Sequence, residues 1–175
     1  LNLTGCENIT SEGLRAVSSL TALCTLSLRC CGGVTSEVLR AMSSSLTSLT
    51  SLDIGCCGNV TSDGLRAVSS FTALTALDLW GIPSVTTEVL RALSSSLTSL
   101  TSLNVACCDN VATEGLRAVS SLATLTDLCL HSCCNVTSEG LQTLSSLTGL
   151  STLNLTNCPN VSAAAKQALR TAIPN

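Results

Sequence analysis

The chain is nearly without aromatic side chains: one Phe, one Trp and no Tyr among 175 residues. A core without rings has to be assembled from many small, similar aliphatic groups, which suits a repetitive architecture better than an irregular globule. Charge is also scarce. Only 11% of residues are charged, and the net charge of -3 comes with no basic tail, which argues against nucleic acid and against an anionic membrane as the main partner. No apolar run approaches the roughly 18 residues of a membrane span, and no secretory leader pattern is visible. One His and no C-x-x-C pair leave no convergent ligand set for zinc. Phosphate-binding loops, H-E-x-x-H and nucleophile elbows are missing too. The sequence thus offers no cofactor site, no metal site and no catalytic constellation.

What it does offer is self-similarity. A unit of 25 or 26 residues recurs seven times, over 1–25, 26–51, 52–76, 77–102, 103–127, 128–152 and 153–175. Its form is L-x-L-x-x-C-x-N-V-T-x-E-G-L-R-A-V-S-S-L-T-x-L-T-x. The second and fourth units carry an extra Ser and have Val after the acid where others have Gly, so the pattern also repeats in pairs of 51 residues, as a duplication would leave it. The chain opens in mid-pattern at Leu1, as expected of a fragment lacking an N-terminal segment.

Within each unit the period changes once. Leu49-Thr-Ser-Leu52-Asp-Ile54 alternates apolar and polar, which predicts a short strand with one buried face. A turn follows at Asn8, Gly33, Asn59, Asn110, Asn135 and Asn160, residue types that tolerate a left-handed backbone. Thr10, two residues before Glu12, reads as a helix N-cap with its acid at the positive end of the helix dipole. Leu14, Val17 and Leu20 then recur at helical spacing. One unit cannot bury its own leucines, but a stack can. The expected fold is an α/β right-handed solenoid, a horseshoe of seven repeats forming one domain, with a parallel concave sheet and short helices on the convex side. The last unit has Lys166 where others have Leu, and Ala163–Ala165 in place of cap and acid; its helix is expected to stop at Ile173-Pro174. That helix reads as a partly polar terminal repeat closing the stack, whereas the first unit has no such polar end, so end-to-end self-association through it is expected.

The motif L-x-x-L-x-L-x-x-C-x-N-[VI]-T-[ST]-[ED]-G-L resembles the cysteine-containing class of leucine-rich repeats, with a ribonuclease-inhibitor-like solenoid, found in many F-box proteins that select substrates for ubiquitin ligases. The resemblance covers essentially the whole chain. It implies a protein-interaction module, with substrate recognition for a ubiquitin ligase as its more specific form. No F-box lies within these residues.

The repeat frame divides the twelve cysteines. Cys6, Cys31, Cys57, Cys108, Cys133 and Cys158 share the strand-to-turn corner, which Ile82 occupies in the fourth unit. There a thiol would point inward, so these are expected to be buried, reduced and structural. Cys24, Cys30, Cys56, Cys107, Cys129 and Cys134 remain. Cys30 and Cys56 would be lateral neighbours at a separation a disulfide can span. So many thiols suit a reducing compartment, the cytoplasm or nucleus. The alternative is an extracellular recognition ectodomain, since N-x-[ST] sequons occur at Asn2, Asn8, Asn59, Asn135, Asn154 and Asn160; turn and cap chemistry generates the same letters.

Glu12/Arg15, Glu37/Arg40, Asp63/Arg66, Glu88/Arg91 and Glu114/Arg117 read as i,i+3 ion pairs on the outer helices. The positions free to carry function are the outward strand positions that vary. One row reads Asn2, Ser27, Asp53, Asp78, Asn104, Cys129, Asn154. Another reads Thr4, Arg29, Gly55, Trp80, Ala106, His131, Thr156. Trp80 stands out between the small Gly55 and Ala106, which leave the indole room and expose its faces; Trp is favoured at binding hot spots. Asp53 and Asp78 are like-charged neighbours suited to a cation or to a partner's Arg or Lys. Arg29, Asp127 and His131 complete a polar rim. These six residues are the expected contact surface for a protein partner whose identity the sequence does not give. A scaffold segment with no specific ligand is the remaining alternative.

Overall fold

In the computed structural model, which describes residues 1–173, three-residue strands alternate with short helices. The strands are β1 (Thr25–Ser27), β2 (Ser51–Asp53), β3 (Ala76–Asp78), β4 (Ser102–Asn104), β5 (Asp127–Cys129) and β6 (Thr152–Asn154). The helices are α1 (Ser11–Ala16), α2 (Ser36–Ser43), α3 (Ser62–Val68), α4 (Thr87–Ser96), α5 (Thr113–Val119), α6 (Ser138–Gln142) and α7 (Ala163–Ala172). The strands form one parallel sheet in chain order, and Asn2 adds a parallel bridge to Ser27 ahead of β1. The register is the same at every step: Leu26, Leu52, Leu77, Leu103, Leu128 and Leu153 stand in one row. That row, with the second-row residues Leu28, Ile54, Leu79, Val105 and Leu130, packs onto the helix leucines to make a continuous core. The fold is thus an α/β leucine-rich-repeat solenoid, its sheet on the concave side.

Three kinds of side chain tie each unit to the one before. Corner thiols donate to a strand carbonyl of the preceding unit: Cys31 to Leu3, Cys57 to Leu28, Cys108 to Leu79, Cys133 to Val105 and Cys158 to Leu130, at 3.0–3.3 Å between sulfur and oxygen. Asparagine amides do the same at the turn, Asn59 to Gly32, Asn110 to Pro83, Asn135 to Asp109 and Asn160 to Cys134. Threonine hydroxyls supply a third rung, Thr50 to Cys24, Thr75 to Thr50 and Thr101 to Thr75. Burial pushes the Cys57 and Cys108 thiols up to about 11 and Cys133 to about 12, so these sulfurs stay protonated and able to donate. Ile82 fills the fourth corner, fully buried, without a rung. Cys6 departs from the expectation of burial. It is exposed, because no preceding strand lies beside it among the described residues to cover it or accept its proton.

The left-handed residue is not the turn asparagine. It lies three positions earlier, at Gly5, Cys30, Cys56, Gly81, Cys107, Ser132 and Asn157, with φ between 56° and 74°. There the chain leaves the strand, and the kink keeps each N–H pointed at the next unit: Cys30 donates to Gly55, Cys56 to Trp80, Gly81 to Ala106 and Cys107 to His131. A non-glycine residue in this conformation costs about 1–2 kcal/mol, which the preserved ladder bond offsets.

Five of the seven described helices carry a side-chain cap; Thr61, ahead of α3, makes no cap bond, and Ala112, ahead of α5, has no side-chain acceptor to offer. Thr10, Thr35, Thr86 and Thr137 accept from backbone N–H groups of the first turn. Ser162 caps α7 in the same way, so the last unit keeps its cap and loses only the acid; Pro174 lies outside the described residues. The ion pairs run partly across units. Asp63–Arg66 and Glu114–Arg117 form within a helix, whereas Arg15 reaches Glu37 and Arg91 reaches Glu114 on the next. Stacked helices bring the following unit's acid as near as the same helix's own.

The pairing of units also has a packing cause. A Cβ on Gly64 would lie 2.6 Å from the Ser36 Cα, and one on Gly115 would lie 2.8 Å from a Leu90 methyl. Glycine there lets α3 close on α2 and α5 on α4, while Val38 and Val89 at the same position are fully buried. At Gly13 the nearest atom would be 3.5 Å away. Replacing Gly64 by Ala should therefore destabilise the protein by about 1–3 kcal/mol through overpacking. Gly13→Ala should be neutral or stabilise it by up to about 1 kcal/mol. Urea denaturation of the two variants checks this, and equal effects would contradict it.

Candidate concave-face contact site

The strand-flanking side chains form the concave surface, and four of the six expected contact residues meet there. Asp53 and Asp78 are lateral partners across β2 and β3. Arg29, one unit earlier, spans both: its Nε donates to Asp53 Oδ2 at 3.0 Å and an Nη to Asp78 Oδ2 at 2.5 Å. Its guanidinium carbon lies 5.1 Å from the centre of the Trp80 ring, within cation–π range. Partial burial alone would lower the Arg29 pKa, but the Asp53 hydrogen bond and the Asp78 charge outweigh it and raise it. The guanidinium therefore remains charged, and the two carboxylates that the sequence shows as an unneutralised pair share an internal cation.

Each carboxylate also has a backbone duty. Asp53 Oδ1 accepts from Gly55 N–H at 2.9 Å, and Asp78 Oδ1 from Trp80 N–H at 2.8 Å. Asn2, Asn104 and Asn154 repeat the same two-residue bond to Thr4, Ala106 and Thr156. The Asx preference of this row thus serves the exit from the strand, in addition to any contact it makes. Asn104 Nδ2 and Ser27 Oγ complete the network on Asp78 and Asp53.

Trp80 is half-buried. The space beside it differs from the sequence expectation. The Arg29 guanidinium occupies the Gly55 side, since a Cβ at Gly55 would lie 3.2 Å from Arg29 Cζ. One side of the indole is therefore shared with Arg29 rather than open. Ala106 on the other side is buried. Gly55 is the residue whose importance the sequence misassigns: it makes room for Arg29, and the charge pattern Arg-Asp-Asp across three successive units was the available signal.

Asp127 and His131 lie two units further on and do not join this cluster. Asp127 accepts from Thr126 Oγ1 at 2.6 Å, and hydrogen bonds from Thr126 and Thr152 lower its pKa. His131 Nε2 lies 3.1 Å from Ser132 Oγ. The site is a short ridge of Arg29, Asp53, Asp78 and Trp80, with Asp127 and His131 as outlying polar groups.

A cleft lies elsewhere. About 570 Å³ opens at the C-terminal end, lined by Leu150, Leu153, Leu155, Lys166, Leu169 and Ile173 among others. Its walls are the end of the core beside a helix whose Lys166 replaces a leucine, so it reflects the end of the stack more than a built ligand pocket. No helix among the described residues is long and apolar enough to cross a membrane.

A family model described as Leucine Rich repeat matches residues 1–18, 45–69 and 96–120. No curated protein matches the sequence. Among solved structures, a chain of the yeast Rad7 and Elc1 complex aligns with 100% of this chain at 16% identity and TM-score 0.64. The match covers 54% of the yeast chain, so this chain spans about half its length. Internalin C2 of Listeria monocytogenes aligns over 97% of this chain and 76% of its own, at 19% identity and TM-score 0.65. At these identities the likeness is one of fold.

Because Trp80 is the only Trp, its fluorescence reports on the ridge directly. Arg29→Ala should shift its emission to the red, increase quenching by iodide, and lower stability by about 1–2 kcal/mol. Unchanged emission and quenching would show that Arg29 does not cover the ring.

Proposed function

We propose that this chain, a leucine-rich repeat protein, binds a protein partner on its concave strand face with Trp80 at the centre of contact. The observation that carries this reading is the ordering of the ridge: Arg29, Asp53, Asp78 and Trp80 hold one another in place on a hydrogen-bonded sheet. A side chain already fixed before binding loses little rotamer freedom on binding, and Trp and Arg are the residue types that dominate interface energetics. Asp127 and His131 act as rim contacts. The more specific form, recognition of a substrate for a ubiquitin ligase, is supported by the motif resemblance.

The same reading takes the chain as a binding module rather than an enzyme, divided into seven units forming one domain. It places the protein in a reducing compartment, cytoplasm or nucleus, because five corner thiols spend their S–H groups on backbone carbonyls, bonds that a disulfide would remove. End-to-end association is a separate proposal, favoured by the exposure of Leu1 and Leu20, at 45% and 47%. Sedimentation showing a monomer at all accessible concentrations would rule it out.

To test the site, proteins captured by the wild-type chain are compared with those captured by Trp80→Ala and by the convex-face variant Arg66→Ala, and the affinity of each captured protein is measured. Trp80→Ala should weaken binding tenfold or more, with Arg66→Ala within about twofold. A partner bound equally by wild type and Trp80→Ala would overturn the assignment.

A further inference from the structure

Cys30 and Cys56 occupy the same rim position in adjacent units, and their surroundings differ from those of every corner cysteine. Both have the left-handed backbone, with φ of 57°. Cys30 N–H donates to Gly55 at 2.9 Å and Cys56 N–H to Trp80 at 2.7 Å, which fixes the two residues side by side at about one strand spacing, ~4.8 Å. A disulfide requires a Cα separation of roughly 4.4–6.8 Å. Both thiols are exposed. Cys56 Sγ would lie 3.2 Å from a Cβ on Gly81, so it leans over that glycine. Closure requires a rotation about χ1 that turns it toward Cys30, with the two Cβ atoms drawn from about one strand spacing to the roughly 3.5–4.5 Å of a disulfide.

Neighbouring corner thiols, such as Cys31 with Cys57 or Cys108 with Cys133, stand at the same lateral spacing. They are buried and donate to backbone carbonyls, so an oxidant does not reach them. Cys107 is two units from Cys56, with Gly81 between, and its other neighbour in the row is Ser132. Cys30 with Cys56 is therefore the pair in this rim row that combines adjacency with access. Desolvation and the Cys30 thiol push Cys56 up, and the Arg29 charge beside it pulls the other way.

We infer that Cys30 and Cys56 form a peroxide-sensitive dithiol that closes reversibly to an intramolecular disulfide on the rim of the concave face. In the first step one thiolate sulfur attacks an oxygen of hydrogen peroxide. The O–O bond breaks, a sulfenic acid forms, and the departing hydroxide leaves as water after taking up a proton. The second thiolate then attacks the sulfenic sulfur, forming the S–S bond and breaking the S–O bond; the hydroxide expelled takes up the proton that the second thiol gave up and leaves as a second water. Two thiols are oxidised by two electrons and one peroxide is reduced to two waters. A dithiol reductant reverses the closure by thiol–disulfide exchange. The pair directly follows Arg29 and Gly55 in the chain, so the closure lies beside the contact ridge, though the inference does not depend on that ridge binding anything.

The experiment treats the native full chain with one equivalent of hydrogen peroxide, then counts thiols after unfolding and maps the tryptic peptides. The count should fall from twelve to ten, with fragment 30–40 joined to fragment 41–66, and dithiothreitol should restore it. Cys30→Ser and Cys56→Ser should each abolish this link, and Cys107→Ser should keep it. Should a serine variant fail to fold, fragmentation of the linked wild-type peptide identifies which cysteine of each vicinal pair is joined. Overoxidation to sulfinic or sulfonic acid without a link, or a link through Cys31, Cys57 or Cys107, would overturn the inference.

Discussion

The lateral hydrogen bond, from a donor on one unit to a carbonyl on an adjacent unit, is the interaction on which the rest of this structure depends. With strands only three residues long, the backbone ladder at each step is short. The protein lengthens it at both ends. The left-handed residue carries it past the strand exit, and the cysteine, asparagine and threonine rungs carry it through the corner, the turn and the strand entry. Each rung adds a lateral donor; at the corner and the strand entry it joins backbone N–H groups on the same carbonyl, as Cys57 joins Cys31 N–H on Leu28 and Thr75 Oγ1 joins Thr75 and Ala76 N–H on Thr50, a net contribution of about 0.5–1.5 kcal/mol apiece. The same bonds fix register, and register decides which leucines meet. Burial of the aliphatic core then follows at every step, without the large rings that irregular interiors use to fill space.

Such a framework leaves few side chains unspoken for. Arg15, Arg66, Arg91 and Arg117 pair with acids on the helices, and the Asx row turns the chain out of the strand. What the repetition does not require is Arg29, Trp80 and the carboxylate, in place of the commoner asparagine, at Asp53 and Asp78. These departures from the pattern fall in three consecutive units and touch one another. The cluster is anchored by strand bonds on one side and open to solvent on the other, which is the arrangement expected of a contact surface that is ordered before its partner arrives.

The period, the core leucines, the N-caps and the inward corner of the repeat were legible in the sequence because each is enforced by local chemistry and repeated. Interactions between units were less so. The asparagine at the turn was readable as a left-handed residue, yet its amide is needed as a lateral donor and the left-handed backbone falls on Cys30, Cys56 and Cys107, residue types with no such preference. The alternation of Gly64 and Val38 reads in the sequence as a relic of duplication, but the close approach of Ser36 to Gly64 gives it a steric cause. Cys6 carries the same letter as Cys31 but lacks the neighbour that buries it. Six residues were singled out on the concave face; four form one cluster, and the pairing of Arg29 with both aspartates depends on the reach of a long side chain across two units, which spacing alone does not convey.

The central claim is that the repeated donors build the fold and that the Arg29–Trp80 ridge is where the fold meets a partner. Hydrogen–deuterium exchange of the chain, free and bound to its captured partner, tests it most directly. The account predicts new protection at the strand exits, over 27–30, 53–56 and 78–81, with the helices α2, α3 and α4 unchanged. Protection confined to those helices, with the strand exits exchanging as in the free chain, would contradict it.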